Sequence, residues 1–394
     1  MHPCFNAEVQ HKHSRIHLPV AAGCNISCKY CNIKYDCLHE SRPGVTSDIL
    51  TPEEALERYI IAKNKLENIK VVGIAGPGDP LHDFEKTIKT FELIRKQDGN
   101  ILFCLSTNGL MLYEYADELL KSGISHITMT INAVDTKISS GIYKHINYQG
   151  NIIKGEEGAK ILLEKQIKAL KYLSSKNVLL KVNIVAIKGL NINHISEVVS
   201  FVKGYGAHIT NIMPLIPASG SEFEGMPLIS NREIKQIREK CAAIMPQMTH
   251  CKQCRADAAG LIGTDRSVEL RKKHANDEFK DFNKDLMVAV ATSDGEIIDR
   301  HFGQAEEFFI YKSTNNRFKL VEKRVVSRYC TGVENCNTDK NRLNEIIKIL
   351  NDCDKVICLR IGTEPRNKLE NSGIDILEMY DTVENALYDC VNNL

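Results

Sequence analysis

The sequence has no tryptophan, no long apolar run and almost no net charge. None of its apolar segments approaches the roughly 18–20 residues of a membrane-spanning helix, and the first residues lack the apolar core of a signal peptide. A formal net charge of +1 argues against the concentrated basic face that binds nucleic acid. We therefore expect a cytoplasmic protein that binds neither a membrane nor a nucleic acid.

Cysteine is abundant instead, with fourteen residues in a chain of 394. Because the chain is long and has no export signal, we expect reduced thiols rather than disulfides, and such thiols indicate metal ligation or catalysis. The tightest groups are Cys24, Cys28 and Cys31, and the pair Cys251 and Cys254.

Short β-branched runs alternate with amphipathic helical patterns from about residue 15 to about residue 249. A capping box at Thr51–Glu54 begins one helix, with a predicted buried stripe that includes Ile60 and Ile61. Right-handed β/α crossovers predict a partial (β/α)6 barrel with its chemistry at the carboxyl ends of the strands. The predicted strands are Arg15–Ala22, Val71–Gly76, Ile101–Thr107, His126–Asn132, Val178–Ile187 and His208–Ile216.

Cys24, Cys28 and Cys31 form a CxxxCxxC loop directly after the first predicted strand. Three thiolates on one short loop can hold three corners of a [4Fe–4S] cluster and leave the fourth iron open. In this loop the sequence resembles the radical S-adenosylmethionine (SAM) family. The resemblance implies that the open iron chelates SAM and that electron transfer breaks its C–S bond. A chance triplet of buried or zinc-binding cysteines is the alternative.

Segments after other strands resemble the SAM-binding elements of that family. AGPGDPL, residues 75–81, resembles the loop whose glycine backbone receives the SAM amino group, although Pro77 and Asp79 depart from the usual pattern. The resemblance implies that a set of side chains and backbone groups binds the cofactor. These are Tyr30 against the adenine, Gly76, Gly78 and Asp79 in the loop, Ser106, Thr107 and Asn108 after the third strand, and Asn183 on the fifth.

Outside the CxxxCxxC loop, four further cysteines lie in features that a single cluster does not explain. Cys251 and Cys254 form a CxxC pair, which most often binds zinc or a cluster but needs ligands from elsewhere. Cys4, in the segment HPC, and Cys104, within the third predicted strand, can supply them together with a histidine. This arrangement requires both ends of the barrel sequence to fold over its mouth.

Taken together, HPCFN, CNISCKYCNIKYDC, ESRPGV, AGPGDPL, MPLIPASGSEFEG and CKQCRADAAGLIGTD resemble the NifB family over residues 1 to about 265. The resemblance implies an enzyme that fuses two [4Fe–4S] substrate clusters, a SAM-derived carbon and an added sulfur. The product is the carbide-centred eight-iron precursor of the nitrogenase cofactor. SAM supplies both a methyl group and a 5′-deoxyadenosyl radical. Expected partners are SAM, iron–sulfur cluster donors, a reductant, and cofactor carrier and nitrogenase-assembly proteins.

The same resemblance implies that Cys4, Cys104, Cys251, Cys254 and a histidine hold the two substrate clusters, with Cys104 part of the catalytic site. A neutral imidazole suits a labile position beside thiolates. The segment QHKH offers two candidates, of which His11 is our choice and His13 its rival.

Glu40, Ser41 and Arg42 belong to the same family block. Arg42 either neutralises the anionic clusters or forms a surface salt bridge, and Arg255 and Asp257 allow the same two interpretations. Other functions also stay open: a different radical SAM maturase with auxiliary clusters, or an iron–sulfur scaffold. The first usually places its auxiliary cysteines after the barrel, and the second needs no SAM-binding loops.

The composition divides the chain into residues 1–268, a charged linker at 269–285, and a smaller α/β domain at 286–394. The segment VAVATSDGEIIDRHFGQAEEFFIY resembles the NifX/NafY-type cofactor-binding domain. That resemblance implies that His301 is a cluster ligand and that the domain holds or passes on the product. A histidine that merely caps its turn is the alternative, and Cys330 and Cys336 are too loosely spaced to support a prediction.

Overall fold

A computed structural model describes residues 1–35, 37, 42–270, 285–314, 317–328, 340–379 and 382–392. The chain forms two compact units, the first ending at Arg271 and the second beginning at Lys272. Most of the predicted linker, together with Glu40, Ser41, Cys330 and Cys336, lies outside the described residues. Among the helices that are described, none is long and apolar enough to cross a membrane.

The described residues of the first unit form ten strands and seven α-helices. The strands are β1 (Ser14–His17), β2 (Ile26–Cys28), β3 (Ile69–Ile74), β4 (Leu102–Thr107), β5 (Ile124–Thr130), β6 (Tyr143–Tyr148), β7 (Asn151–Ile153), β8 (Leu179–Ala186), β9 (Ile209–Pro214) and β10 (Ala259–Gly260). The helices are α1 (Pro52–Lys65), α2 (Phe84–Gln97), α3 (Ala116–Lys121), α4 (Thr136–Ile142), α5 (Gly155–Ser174), α6 (Ile195–Gly204) and α7 (Asn231–Ala242).

Seven of these strands form one curled sheet in the order β10-β1-β3-β4-β5-β8-β9. All neighbouring strands are parallel except β10, which pairs with β1 in the antiparallel sense. This sheet confirms the predicted partial barrel, with six strands close to their predicted positions. The first is shorter than expected, because Pro19 has no N–H with which to continue a ladder. The second ends before Gly76, whose φ of +145° takes the chain out of the sheet.

A small second sheet, in the order β2-β6-β7, was not predicted. The sequence after β5 was expected to be helical, but only the short helix α4 precedes the hairpin of β6 and β7. Gln149 and Gly150 both have positive φ at the hairpin turn, as tight turns between twisted strands require. Because β2 pairs with β6, the hairpin supports the cysteine loop directly.

Helix α1 begins with the predicted capping box. The Thr51 hydroxyl accepts a hydrogen bond from the Glu54 backbone N–H, and the Glu54 carboxylate accepts one from the Thr51 N–H. The predicted buried stripe was wrong at Ile60 and Ile61, which are exposed, whereas Tyr59 is buried. Tertiary packing selects the adjacent face of the helix, where the Tyr59 hydroxyl donates to Asp98 at 2.8 Å.

The second unit is a five-stranded sheet in the order β13-β12-β11-β14-β15. Strands β11 to β13 are antiparallel, and β14 and β15 continue the sheet in parallel. Its core includes Phe302 and Phe308, with ring centroids 5.5 Å apart. The elements are β11 (Met287–Val290), β12 (Glu307–Thr314), β13 (Arg317–Val325), β14 (Lys355–Cys358) and β15 (Asp375–Glu378), with α8 (Lys340–Ile349), α9 (Thr363–Asn371) and α10 (Val383–Asn392).

We expect Thr51→Ala to lower the free energy of unfolding by about 1 kcal/mol, because it removes the acceptor for an otherwise unpaired N–H of the first helical turn. Denaturant unfolding of the purified chain measures the change. Thr51→Ser keeps the hydroxyl and serves as the control. Equal stability of the two variants would contradict the role of this cap.

Candidate active site

One cavity in the first unit is lined by almost all of the residues singled out from its sequence. Gly76 and the exposed His11 are not among the lining residues, and His301 belongs to the second unit. The predicted site residues that line the cavity are Cys4, Cys24, Cys28, Tyr30, Cys31, Gly78, Asp79, Cys104, Ser106, Thr107, Asn108, Asn183, Cys251 and Cys254.

The three cysteines of the CxxxCxxC loop lie around β2, at one part of this cavity. Cys24 precedes the strand, Cys28 ends it, and the Cys31 N–H donates to the Cys28 carbonyl at 3.1 Å. Burial raises the pKa of all three thiols, that of Cys24 to about 12. Three desolvated thiols with raised pKa values ionise readily only when a metal compensates the charge, so these residues fit an iron–sulfur cluster.

Asp79 ties the AGPGDPL loop to the end of β4. Its carboxylate accepts hydrogen bonds from the Thr107 hydroxyl at 2.9 Å, the Asn108 N–H at 2.6 Å and the Leu81 N–H at 2.9 Å. Burial nevertheless raises the pKa of Asp79 above its usual value. The Asp79 carboxylate and the Thr107 hydroxyl bind each other, so both support the loop as well as line the cavity.

Gly78 lies against the backbone of the cysteine loop. Its N–H donates to the Ala21 carbonyl at 2.8 Å, and a Cβ at this position would lie 1.9 Å from the Gly23 oxygen. Only glycine allows this approach. The AGPGDPL loop is therefore packed directly on the segment that carries Cys24.

Polar side chains line the cavity on strands β8 and β9. Lys181 and Asn183 are two residues apart on β8 and share a face, and the Asn211 amide of β9 donates to the Asn183 side-chain oxygen at 3.0 Å. The sequence reasoning missed Lys181 and Asn211. The signal was present, because polar residues with a period of two within a buried strand indicate an inward polar surface.

A second group of possible ligands lies over Gly73 of β3. A Cβ on Gly73 would be 2.7 Å from the Cys104 Sγ and 3.1 Å from the His17 Cδ2, so both side chains occupy the space above this glycine. His17 ends β1 and Cys104 lies on β4, the two neighbours of β3 in the sheet. Cys4 lines the same cavity.

The hydrogen bond of His17 determines which ring nitrogen is available to a metal. Nδ1 lies 3.3 Å from the Arg255 carbonyl oxygen, which can only accept, so Nδ1 carries the proton. Burial lowers the pKa of His17 to about 4, and the ring is neutral at pH 7. The lone pair of Nε2 is then free, which is the arrangement found in metal-ligating histidines.

The other histidines near the N-terminus differ from His17. His11 is exposed, and the His13 Nδ1 lies 2.8 Å from the Met1 carbonyl; neither lines the cavity. His2 lines it, but its Nδ1 accepts a hydrogen bond from the Cys4 N–H at 3.0 Å. The neutral His2 ring therefore carries its proton on Nε2 and offers no lone pair to iron.

The CxxC segment is held in place by buried charges. The Arg15 guanidinium donates to the Cys254 Sγ at 3.0 Å. Arg255 and Asp257 form a buried ion pair, and Asp257 also accepts from the Ser47 N–H and hydroxyl at 2.8 Å. Burial opposes ionisation of Asp257, but Arg255 and Ser47 outweigh it and hold the pKa of this carboxyl well below its usual value. The pair thus fixes the segment rather than lining the cavity.

Arg42 is buried and lines the cavity, which favours its interpretation as a cation beside a cluster over that of a surface salt bridge. Burial raises the pKa of Cys31, and Arg42 acts in the opposite direction. In the described part of the chain, no three His, Cys, Asp or Glu side chains are placed to hold a single metal ion. This finding agrees with a [4Fe–4S] cluster, because each thiolate of such a cluster binds a different iron and the thiolates need not meet at one ion.

In the second unit, the His301 Nδ1 accepts a hydrogen bond from the Gly303 N–H at 3.1 Å. His301 is thus the N-cap of the short turn Phe302–Gln304, and burial lowers its pKa. This contact corresponds to the turn-capping alternative. A role for His301 as a ligand stays a prediction.

Two family models match the sequence. The model described as "Radical SAM superfamily" matches residues 18–202, and that described as "Dinitrogenase iron-molybdenum cofactor" matches residues 284–393.

Several proteins described as "FeMo cofactor biosynthesis protein NifB" are similar over nearly the whole chain. That of Klebsiella pneumoniae is 40% identical over 402 residues, covering 95% of this chain and 86% of its own. That of Frankia alni is 37% identical over 439 residues, covering 98% and 86%. That of Azotobacter vinelandii is 38% identical over 420 residues, covering 95% and 84%.

We expect Gly73→Ala to destabilise the protein by about 1–3 kcal/mol, because the added methyl group must displace Cys104 or His17. Denaturant unfolding of the metal-free chain measures the loss. Gly99→Ala is the matched control, since nothing lies within 4 Å of a Cβ at Gly99. If both variants lose equally little, the side chains over Gly73 are not closely packed.

Asp257→Asn should cost about 3–5 kcal/mol of stability, because it removes the carboxylate that forms a buried ion pair with the Arg255 guanidinium. The same unfolding measurement applies. Lys63→Met, which breaks the more exposed pair with Asp98, should cost much less. A comparable loss in the two variants would show that burial does not strengthen the Arg255–Asp257 pair.

Proposed function

The chain belongs to the NifB family and is a radical SAM enzyme, and we propose that it builds the carbide-centred eight-iron precursor of the nitrogenase cofactor. In this reaction two [4Fe–4S] clusters are the substrates, SAM supplies a methyl carbon and a 5′-deoxyadenosyl radical, and one sulfur is added. The observation that carries the proposal is the convergence of seven cysteines and His17 on one cavity. A single SAM cluster needs only three of these ligands.

The radical SAM family implies one resident [4Fe–4S] cluster and SAM. Cys24, Cys28 and Cys31 would hold that cluster, and their buried thiols fit it. When bound, it supplies the electron that cleaves SAM. The Tyr30 hydroxyl accepts a hydrogen bond from the Asn132 side chain at 3.1 Å, which fixes its ring in the cavity wall. Ser106 on β4 and Asn183 on β8 line the same cavity and would provide polar contacts for SAM.

We propose Cys4, His17 and Cys104 as ligands of one substrate cluster. His17 replaces His11 in this set, because His17 lies beside Cys104 over Gly73 whereas His11 is exposed. Its Nδ1 hydrogen bond to the Arg255 carbonyl orients Nε2 as the donor atom. A neutral imidazole is also released from iron more easily than a thiolate, which suits a substrate that must move.

Cys251 and Cys254 are proposed as ligands of the second substrate cluster. The Arg15 guanidinium donates a hydrogen bond to the Cys254 sulfur and places a positive charge beside this proposed ligand. The buried Arg255–Asp257 pair holds the following residues rigidly. The second unit is proposed to hold or pass on the product, an inference that rests on its match to the cofactor family model.

Anaerobic reconstitution tests the proposal. We expect about twelve irons per chain, the content of three [4Fe–4S] clusters, and both S-adenosylhomocysteine and 5′-deoxyadenosine after SAM is added. His17→Ala and Cys4→Ala should each hold about eight irons and fail to transfer the methyl group, since one substrate cluster loses a ligand.

His11→Ala and Cys241→Ala are the controls, because His11 is exposed and Cys241 is buried in the core, and neither lines the cavity. Both should keep the full iron content. About four irons with 5′-deoxyadenosine as the sole product would show an ordinary radical SAM enzyme instead. Iron without SAM cleavage would show a scaffold.

A further inference from the structure

Lys181 is a buried cation with no acidic partner. Its residue is 6% exposed, and its side chain lines the cavity from β8. Its Nζ lies 3.4 Å from the Cys4 carbonyl oxygen, 3.7 Å from the Met248 sulfur and 4.7 Å from the centre of the Phe5 ring. Within the described ranges of the chain, no Asp or Glu forms an ion pair with it.

These contacts are weak compensation for a buried charge. A carbonyl at 3.4 Å is at the long limit of a hydrogen bond, and a thioether is a poor acceptor. Burying an ammonium group is costly unless an anion is nearby. Lys181 thus lies in the cavity as a cation to which no described carboxylate supplies a counter-charge.

His2 offers a second donor at the same place. Its residue is 3% exposed, and Nδ1 is occupied by the hydrogen bond from the Cys4 N–H. Its Nε2 is buried, carries the proton of the neutral ring and has no partner in the structure. A buried N–H without an acceptor is costly, which points to a bound group with acceptor atoms.

Both donors lie beside the segment that carries Cys4. His2 and Lys181 each bind backbone atoms of Cys4, and Lys181 is one inward position nearer the carboxyl ends of the strands than Cys104. A cluster held by Cys4 and Cys104 would bring anionic thiolates and bridging sulfides to this position. Sulfides are acceptors, and hydrogen bonds to them help to set the reduction potential of a cluster.

We propose that Lys181 and His2 form a binding site for the inorganic sulfides of the substrate cluster held by Cys4 and Cys104. The proposal rests on the proposed function, since it requires that cluster. Lys181 neutralises the charge that the thiolates and sulfides bring into the barrel. His2 donates from Nε2 and thereby orients the cluster without ligating it.

The test compares Lys181→Met and His2→Asn with the unaltered chain. Methionine keeps the length of the side chain without its charge. Asparagine keeps an acceptor for the Cys4 N–H but removes the donor at Nε2. Lys165→Met is the matched control, because Lys165 also lies over an aromatic ring, that of Tyr148 at 4.6 Å, but outside the cavity and paired with Glu114.

For Lys181→Met we expect the stability of the metal-free chain to be kept or raised, whereas the binding of the substrate cluster should be weakened. Metal-free Lys181→Met should be at least as stable as the unaltered chain in denaturant, because an uncompensated buried charge is gone. After reconstitution, the substrate cluster should be reduced at a more negative potential, because the positive charge that stabilises its reduced form has been removed. Its iron should pass to a chelator about tenfold faster, as expected for the loss of one charge-assisted hydrogen bond.

His2→Asn should change the potential and the iron release in the same direction, and Lys165→Met should change neither. The signal of the SAM cluster, recognised by its change when SAM is added, should be the same in all variants. Unchanged potential and iron release in Lys181→Met would overturn the inference, as would a loss of metal-free stability without those changes. About four irons in the unaltered chain would overturn the proposed function, and this inference with it.

Discussion

Desolvation of thiols is the constraint on which this structure depends. Seven cysteines line one cavity inside a barrel, and burial raises the pKa of five of them, Cys4, Cys24, Cys28, Cys31 and Cys104. A cavity of this kind becomes anionic only when metal and nearby cations offset the charge. The buried side chains of Arg15, Arg42 and Lys181 supply positive charge around it. Buried cations are therefore as necessary to this site as its cysteines.

The segments that carry the cysteines are also held in place around the cavity. Several cysteine-bearing segments are held by contacts that do not involve the thiols themselves. The hairpin of β6 and β7 supports β2, Asp79 joins its loop to the end of β4, and the Arg255–Asp257 pair fixes the residues after Cys254. None of these contacts requires a bound metal.

Local patterns made the barrel and the cysteine loop predictable, because alternating strands and the CxxxCxxC spacing depend on neighbouring residues. The choice of a histidine as a possible ligand could not be made in this way, because it depends on tertiary packing. His11 and His17 are equally good ligands in a sequence, and only the contact of His17 with a carbonyl 238 residues later separates them. The same limit applied to α1, where Tyr59 rather than Ile60 faces the core. The two-residue spacing of Lys181 and Asn183 was an available signal that the prediction did not use.

The antiparallel pairing of β10 with β1 joins residue 15 to residue 260. During synthesis on the ribosome, the CxxxCxxC loop emerges early, whereas Cys251 and the carbonyl that orients His17 emerge more than 200 residues later. The nascent chain thus completes the CxxxCxxC loop long before it can complete the cavity that this loop lines.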